Sequence, residues 1–155
     1  MRKILVVLSV FFAVSGFSSL ASAGAMLEDL CGTTLTSNTE VKHTNESFAG
    51  PCTITIATGR SLEIRYSTID VTSGNLTIIG EGSASLEIKD NDYSDDDIKV
   101  ANDFLIDFET GAVEIKSNDI DVGGDFDIMT TSGPIEVKSN SSGTGTTNKY
   151  VPTQP

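Results

Sequence analysis

The chain has 155 residues, with 10 Lys+Arg against 22 Asp+Glu, one His, two Cys and no Trp. The length suggests a single domain, and a net charge of −12 argues against nucleic acid, because there is too little positive charge to displace counterions from phosphates, and against docking on anionic lipid. One His and two Cys leave little material for His/Cys metal sites or Cys–His catalysis, while 38% hydrophobic residues are too many for a wholly disordered chain.

Residues 1–23 read as an address. Arg2 and Lys3 precede an apolar run from Ile4 to Val14, and Ala21-Ser22-Ala23 offers small residues where a signal peptidase cuts. The run is broken by Ser15-Gly16 and Ser18-Ser19 and is short for a bilayer span. Cleavage after Ala23 is expected, with export and no membrane insertion afterwards. Arg2 and Lys3 leave with the leader, so the side-chain charge moves from −12 to −14.

Residues 24–52 read as an N-terminal cap. Ala25 to Cys31 fits a short amphipathic turn of helix, and the polar stretch 32–51 an irregular first coil. Cys31 and Cys52 enclose 20 residues. An oxidising compartment favours a disulfide between them, as a clamp on this end.

Residues 53–138 carry a repeat. Leu62-Glu63-Ile64-Arg65 recurs as Leu86-Glu87-Ile88-Lys89, Val113-Glu114-Ile115-Lys116 and Ile135-Glu136-Val137-Lys138, at spacings of 24, 27 and 22. Two further triplets follow each copy. Ile69-Asp70-Val71, Ile98-Lys99-Val100 and Ile120-Asp121-Val122 form one set; Leu76-Thr77-Ile78, Phe104-Leu105-Ile106 and Phe126-Asp127-Ile128 form the other. The steps between triplets are 7, 7, 10, then 12, 6, 9, then 7, 6, 9, so five extra residues sit in the middle repeat. Each triplet alternates apolar and polar, the period of a strand with one buried face, and β-branched residues suit it. Turn residues fill the gaps. Thr53-Ile54-Thr55-Ile56 fits a third-face strand one step before Leu62.

A three-residue strand cannot bury an apolar face alone. Stacking equivalent strands about 4.8 Å apart gives three parallel sheets around one core. The expected fold is an all-β, three-faced parallel β-solenoid of about four coils with a disulfide-clamped N-terminal cap. An antiparallel sandwich also shows many short strands, but has no reason to repeat Leu-Glu-Ile-Lys in every third one. Residues 139–155 are low in complexity and read as a flexible tail, with no obvious cap on that end of the solenoid.

Counting five from the first apolar residue of each repeat gives Asn91, Asn118 and Asn140, with Ser67 in the first. Stacked amides can each donate and accept along such a column. With this pattern, the chain from about Ile54 to Lys138 resembles the right-handed parallel β-helix superfamily, the pectate-lyase-like and filamentous-haemagglutinin-like proteins, whose asparagine ladder this stack is similar to. The resemblance implies a right-handed coil, as does the crossover rule.

On the first face, Glu63, Glu87, Glu114 and Glu136 form one outward row and Arg65, Lys89, Lys116 and Lys138 the next, about 7 Å away along the strands. Opposite rows offset the repulsion that like charges on neighbouring strands would bring. Such a face is either self-neutralising or a flat surface that docks an ordered glycan or another surface protein. The inserted loop gathers Asp90, Asp92, Asp95, Asp96 and Asp97, oxygen ligands that a hard cation such as Ca²⁺ accepts. It is not an EF-hand, since Asp95 stands where the Gly would be. Asn75, Asp103 and Asp125 read as turn residues bonding local backbone, and His43 as an inert surface histidine. No G-x-S-x-G is present, so a hydrolase triad has no support.

These features lead to an exported, non-catalytic β-helix module with an adhesive or cell-surface structural role, secreted, periplasmic or on the cell surface. The alternative is a Ca²⁺-assisted polysaccharide-binding or polysaccharide-lyase-like protein, which the resemblance implies and which would use the Asp90–Asp97 loop beside Lys89 or Lys99. Open solenoid ends expose unpaired strand edges, so end-to-end self-association is expected as well.

Overall fold

A computed structural model describes residues 24–91, 97–142 and 147–150. The expected leader, residues 1–23, lies outside them. After a four-residue helix α1 (Leu27–Leu30), the chain winds through short strands. The first coil holds β1 (Thr33–Leu35), β2 (Thr39–Lys42) and β3 (Asn45–Ala49). The second holds β4 (Cys52–Ile56), β5 (Ser61–Arg65) and β6 (Thr68–Ser73), and the third β7 (Leu76–Gly80), β8 (Ser85–Asn91) and β9 (Ile98–Val100). Then come β10 (Phe104–Phe108) and a long β11 (Val113–Val122) that runs round a corner. Next are β12 (Asp125–Thr130), β13 (Ile135–Lys138) and β14 (Ser141–Ser142), and finally β15 (Thr147–Tyr150).

Every pairing is parallel and joins one coil to the next, so the fold is a parallel β-solenoid. From β2 to β13 the chain makes about four turns. The first face is β2, β5, β8, β11 and β13; the second is β3, β6, β9, the far half of β11 and β14; the third is β1, β4, β7, β10, β12 and β15. The register is the one the triplets imply: Leu62 on Leu86 on Val113 on Ile135, Ile69 on Ile98 on Ile120, and Leu76 on Phe104 on Phe126. Inward columns of Ile, Val, Leu and Phe merge into one buried core. Each fully buried side chain of this kind contributes about 1.5–3 kcal/mol, which a three-residue strand obtains only by stacking.

Two differences from the sequence reading concern the ends. Residues 32–51 are not irregular, because β1, β2 and β3 already stack on the coil above. Residues 141–142 and 147–150, read as tail, add short strands to β11 and β12. In both regions polar residues stand where apolar ones would announce a strand, and the backbone hydrogen bonds of the preceding or following coil supply the template instead.

The corner between the first and second faces has one backbone solution used five times. His43, Tyr66, Asp90, Ser117 and Ser139 all have φ between 50° and 56°, a left-handed conformation that non-glycine residues adopt only at a cost. From the second coil onward, the residue after each joins a ladder. Asn91 Nδ2 donates to Asn118 Oδ1 at 2.8 Å and to Ile64 O at 3.2 Å; Asn118 Nδ2 donates to Asn140 Oδ1 and to Ile88 O, both at 2.9 Å. The side-chain oxygens also accept backbone amides: Ser67 N donates to Asn91 Oδ1 at 2.9 Å and Asn118 N to Asn140 Oδ1 at 3.1 Å. Ser67 continues the column by accepting from Thr44 N at 3.3 Å. Asn91 and Asn118 are fully buried, so the ladder satisfies corner groups that water cannot reach.

A second column runs along the corner before the third face. Asp125 N donates to Asp103 Oδ1 at 3.1 Å and Asp103 N to Asn75 Oδ1 at 3.4 Å. The Asn75 and Asp103 side chains bond the next coil rather than their local backbone, which corrects the reading of these two as ordinary turn residues.

The N-terminal end is closed by a small built-in plug. Leu27 of α1 is fully buried against the core. Glu46 occupies the inward column of Ile69 and Ile98, where an apolar residue is the rule. Its carboxylate accepts from Leu27 N and Glu28 N, both at 2.9 Å, and from Thr44 Oγ1 at 3.1 Å. The Cys31–Cys52 disulfide, with Cα atoms 4.9 Å apart, ties the end of α1 to β4. Replacing both cysteines by alanine should lower stability by about 3 kcal/mol, the chain-entropy value for a loop of this size. Urea unfolding of the wild type and the variant checks it, and equal midpoints would show that the plug holds without the bridge.

Candidate functional site

The first face is the most regular surface of the molecule. Alternation along β5, β8, β11 and β13 turns one Glu and one Lys or Arg outward per coil. Glu63, Glu87, Glu114 and Glu136 stand in register, as do Arg65, Lys89, Lys116 and Lys138. The sequence reading missed the first members of both rows. Glu40 and Lys42 of β2 align with Glu63 and Arg65; Thr39-Glu40-Val41-Lys42 is the repeat with Thr in place of its first apolar residue.

The rows interlock on the diagonal. Arg65 reaches back one coil to Glu40 at 2.5 Å and also touches Glu63 at 3.2 Å; Lys89 reaches back to Glu63 at 3.2 Å and pairs with its own Glu87. Lys138 pairs with Glu136. The Arg65 guanidinium hydrogen-bonded to Glu40 holds that carboxyl below its ordinary value, and the Lys138 ammonium does the same to Glu136. Reciprocally, the Glu87 carboxylate raises Lys89, and Glu136 raises Lys138.

The signs of these shifts set a pH dependence. Carboxyls depressed on folding stabilise above the ordinary value of 4.5, and that contribution is lost as pH falls through their lowered folded values. Lysines raised on folding stabilise below 10.5, and that contribution is lost as pH rises through their raised folded values. The rows should therefore support the fold between these limits and weaken beyond both. The paired side chains keep between 25% and 63% of their surface in water, so the effect is small and 1 M salt should flatten it. Thermal unfolding across pH at two salt concentrations checks this; a profile that salt leaves unchanged would assign the dependence elsewhere.

The face ends in an aromatic pair at its N-terminal corner. His43 and Tyr66 share the left-handed corner position in successive coils, and their rings stack with centroids 5.3 Å apart and planes 13° apart. Lys42 Nζ and the Arg65 guanidinium each lie 5.9 Å from the Tyr66 ring centre, a cation–π distance. His43 is thus not an isolated surface residue. Its partner is Tyr66, one coil away, and the signal for the pair is the register of β2 on β5.

The other candidates read from the sequence lie elsewhere in the fold. Asp90 occupies the corner position above Tyr66, and Asp97 pairs with Lys99 at 2.5 Å. Asp92, Asp95 and Asp96 lie outside the described residues. Among the described residues no three His, Cys, Asp or Glu side chains converge as a metal site. On the second face Asp70, Lys99 and Asp121 stand in register and line a shallow groove with Thr72, Ala101 and Gly123. The outward positions of the third face run Thr53, Thr77, Leu105, Asp127.

Comparison with known proteins finds no match among family models, curated proteins or solved structures. The fold rests on the strand register itself. Among the described residues no helix is long and apolar enough to cross a membrane.

Proposed function

We propose that this chain is an exported, non-catalytic module of the right-handed parallel β-helix kind, with an adhesive or cell-surface structural role, and that its first face docks an ordered glycan or a surface protein. The observation that carries the reading is the five-fold register of the Glu and Lys/Arg rows. Parallel stacking repeats both signs about every 4.8 Å on a stiff sheet, a spacing suited to a polymer whose polar groups also repeat. The diagonal ion pairs hold the side chains in place before any ligand arrives, which reduces the ordering cost of docking. The His43–Tyr66 stack adds a flat ring surface at one end, suited to the apolar face of a sugar.

Binding of the purified protein to a panel of acidic and neutral polysaccharides tests the reading. R65E/K89E should lose binding about tenfold or more, whereas D70K/K99D on the second face should retain it. A wild type that binds no glycan and captures no surface protein by cross-linking on intact cells overturns it. The panel also addresses the lyase alternative, for which ultraviolet absorbance of an unsaturated product is the positive result. Calorimetric titration with Ca²⁺ addresses the Asp90–Asp97 loop, and absence of heat at millimolar metal removes that alternative. Sequencing of the exported protein from its N-terminus should begin at Gly24.

A further inference from the structure

The two ends of the solenoid are built differently. At the N-terminal end Ala25 N donates to Glu40 O at 3.1 Å, so the edge of β2 is already occupied. Helix α1, the Glu46 hydrogen bonds and the disulfide lie over the same coil. At the other end β13 pairs with β11 on one side, and among the described residues no strand lies on its other side. Val41, Ile64, Ile88 and Ile115, which precede Val137 in its inward column, are at most 1% exposed, whereas Val137 is 46% exposed. Among the residues whose side chains are described, it is the one exposed large apolar side chain.

We propose that two copies of this chain join tail to tail by pairing β13 antiparallel with β13 of the second copy, about a two-fold axis at Val137. The sequence of β13 is self-complementary under that operation. With Val137 opposite Val137 of the second copy, Glu136 stands opposite Lys138 and Lys138 opposite Glu136. All four charges lie on the outer surface, because residues directly opposite share a face of the sheet. The two valines lie on the inner side and continue the core across the axis. Each monomer already pairs Glu136 with Lys138, so the junction becomes a ring of four charges alternating in sign.

Head-to-tail stacking lacks the pairing of opposite charges. It would set Glu136 against Glu40 and Lys138 against Lys42 of the next copy, like on like, and would have to displace Ala25 and α1. An isologous two-fold contact also closes on itself, so growth stops at the dimer. The proposal is independent of what the first face binds.

Light scattering of the full chain from micromolar to millimolar concentration should show a monomer passing to a dimer and no further. E136K places Lys opposite Lys and K138E places Glu opposite Glu, so each alone should weaken dimerisation by about tenfold or more. An equimolar mixture of the two should form a heterodimer, and E136K/K138E should dimerise as the wild type does. V137K should abolish the dimer while leaving the circular-dichroism spectrum unchanged, since the side chain is exposed in the monomer. A wild type that stays monomeric at millimolar concentration, one that grows into filaments, or a charge-swap mixture that remains monomeric would each overturn the proposal.

Discussion

Asn118→Ala should lower the unfolding free energy by about 3 kcal/mol or more. The side chain is fully buried and sits in the middle of the corner ladder. Its Oδ1 accepts from Asn91 Nδ2 at 2.8 Å and from Asn91 N at 3.4 Å, while its Nδ2 serves Ile88 O and Asn140 Oδ1. Truncation leaves a donor on Asn91 and the carbonyl of Ile88 without this partner, and each buried polar group so stranded costs about 1–3 kcal/mol. No single pair in the solvent-accessible rows of the first face should match that loss, because ion pairs open to water contribute at most about 1 kcal/mol. Asn118→Asp separates the ladder from simple packing. An ionised carboxylate there would face the Ile88 carbonyl and the Asn140 amide oxygen, both acceptors, so its folded pKa would rise above the unfolded value. The variant should therefore be most stable at acid pH and lose stability as pH rises through the unfolded value toward the raised folded one. Urea unfolding at two pH values checks both substitutions; an Asn118→Asp variant indifferent to pH would show that the ladder bonds do not set corner stability.

The ladder also shows which parts of this fold the sequence makes legible. The Asn column, the charged rows and the three sets of triplets are visible because stacking demands the same residue type at the same step of every coil. The first coil escapes for a local reason. Asn45-Glu46-Ser47-Phe48 hides its alternation because Glu46 takes the inward position to hold the amides of Leu27 and Glu28, and Thr39 likewise weakens the match of β2 to the repeat. The left-handed corner was not legible at all. His43, Tyr66, Asp90, Ser117 and Ser139 share no chemistry, and their common φ follows from the bend between two sheets rather than from any preference of their own. For the same reason the His43–Tyr66 stack emerges only when coils are laid on one another. A ligand for the first face is not legible in its residues, since rows of opposite sign that neutralise each other in the folded chain have the same sequence in a binding face and in a purely structural one.

Gly111→Ala should have a larger effect than any polar substitution, leaving little or no folded protein. Gly111 is buried at the corner between the third and first faces. A Cβ there would lie 1.4 Å from the carbonyl oxygen of Ala84 and 2.6 Å from its carbon, both backbone atoms of the neighbouring coil. No rotamer relieves such a contact, and the coils cannot separate locally. Leu86 N donates to Ala112 O at 2.9 Å and Thr110 N to Gly82 O at 3.1 Å on either side of it, so any shift breaks the hydrogen bonds that define the stack. The conflict is steric and involves no left-handed φ at this residue, which distinguishes it from the corner of the Asn ladder. A substitution at that other corner, such as Ser117→Gly, relaxes a left-handed residue and should instead be neutral or stabilising by up to about 1 kcal/mol. Thermal unfolding of the two variants side by side tests the distinction. A Gly111→Ala protein with a wild-type midpoint would mean that adjacent coils at this corner lie farther apart than a stack of about 4.8 Å allows, and the tightness attributed to the solenoid would have to be abandoned there.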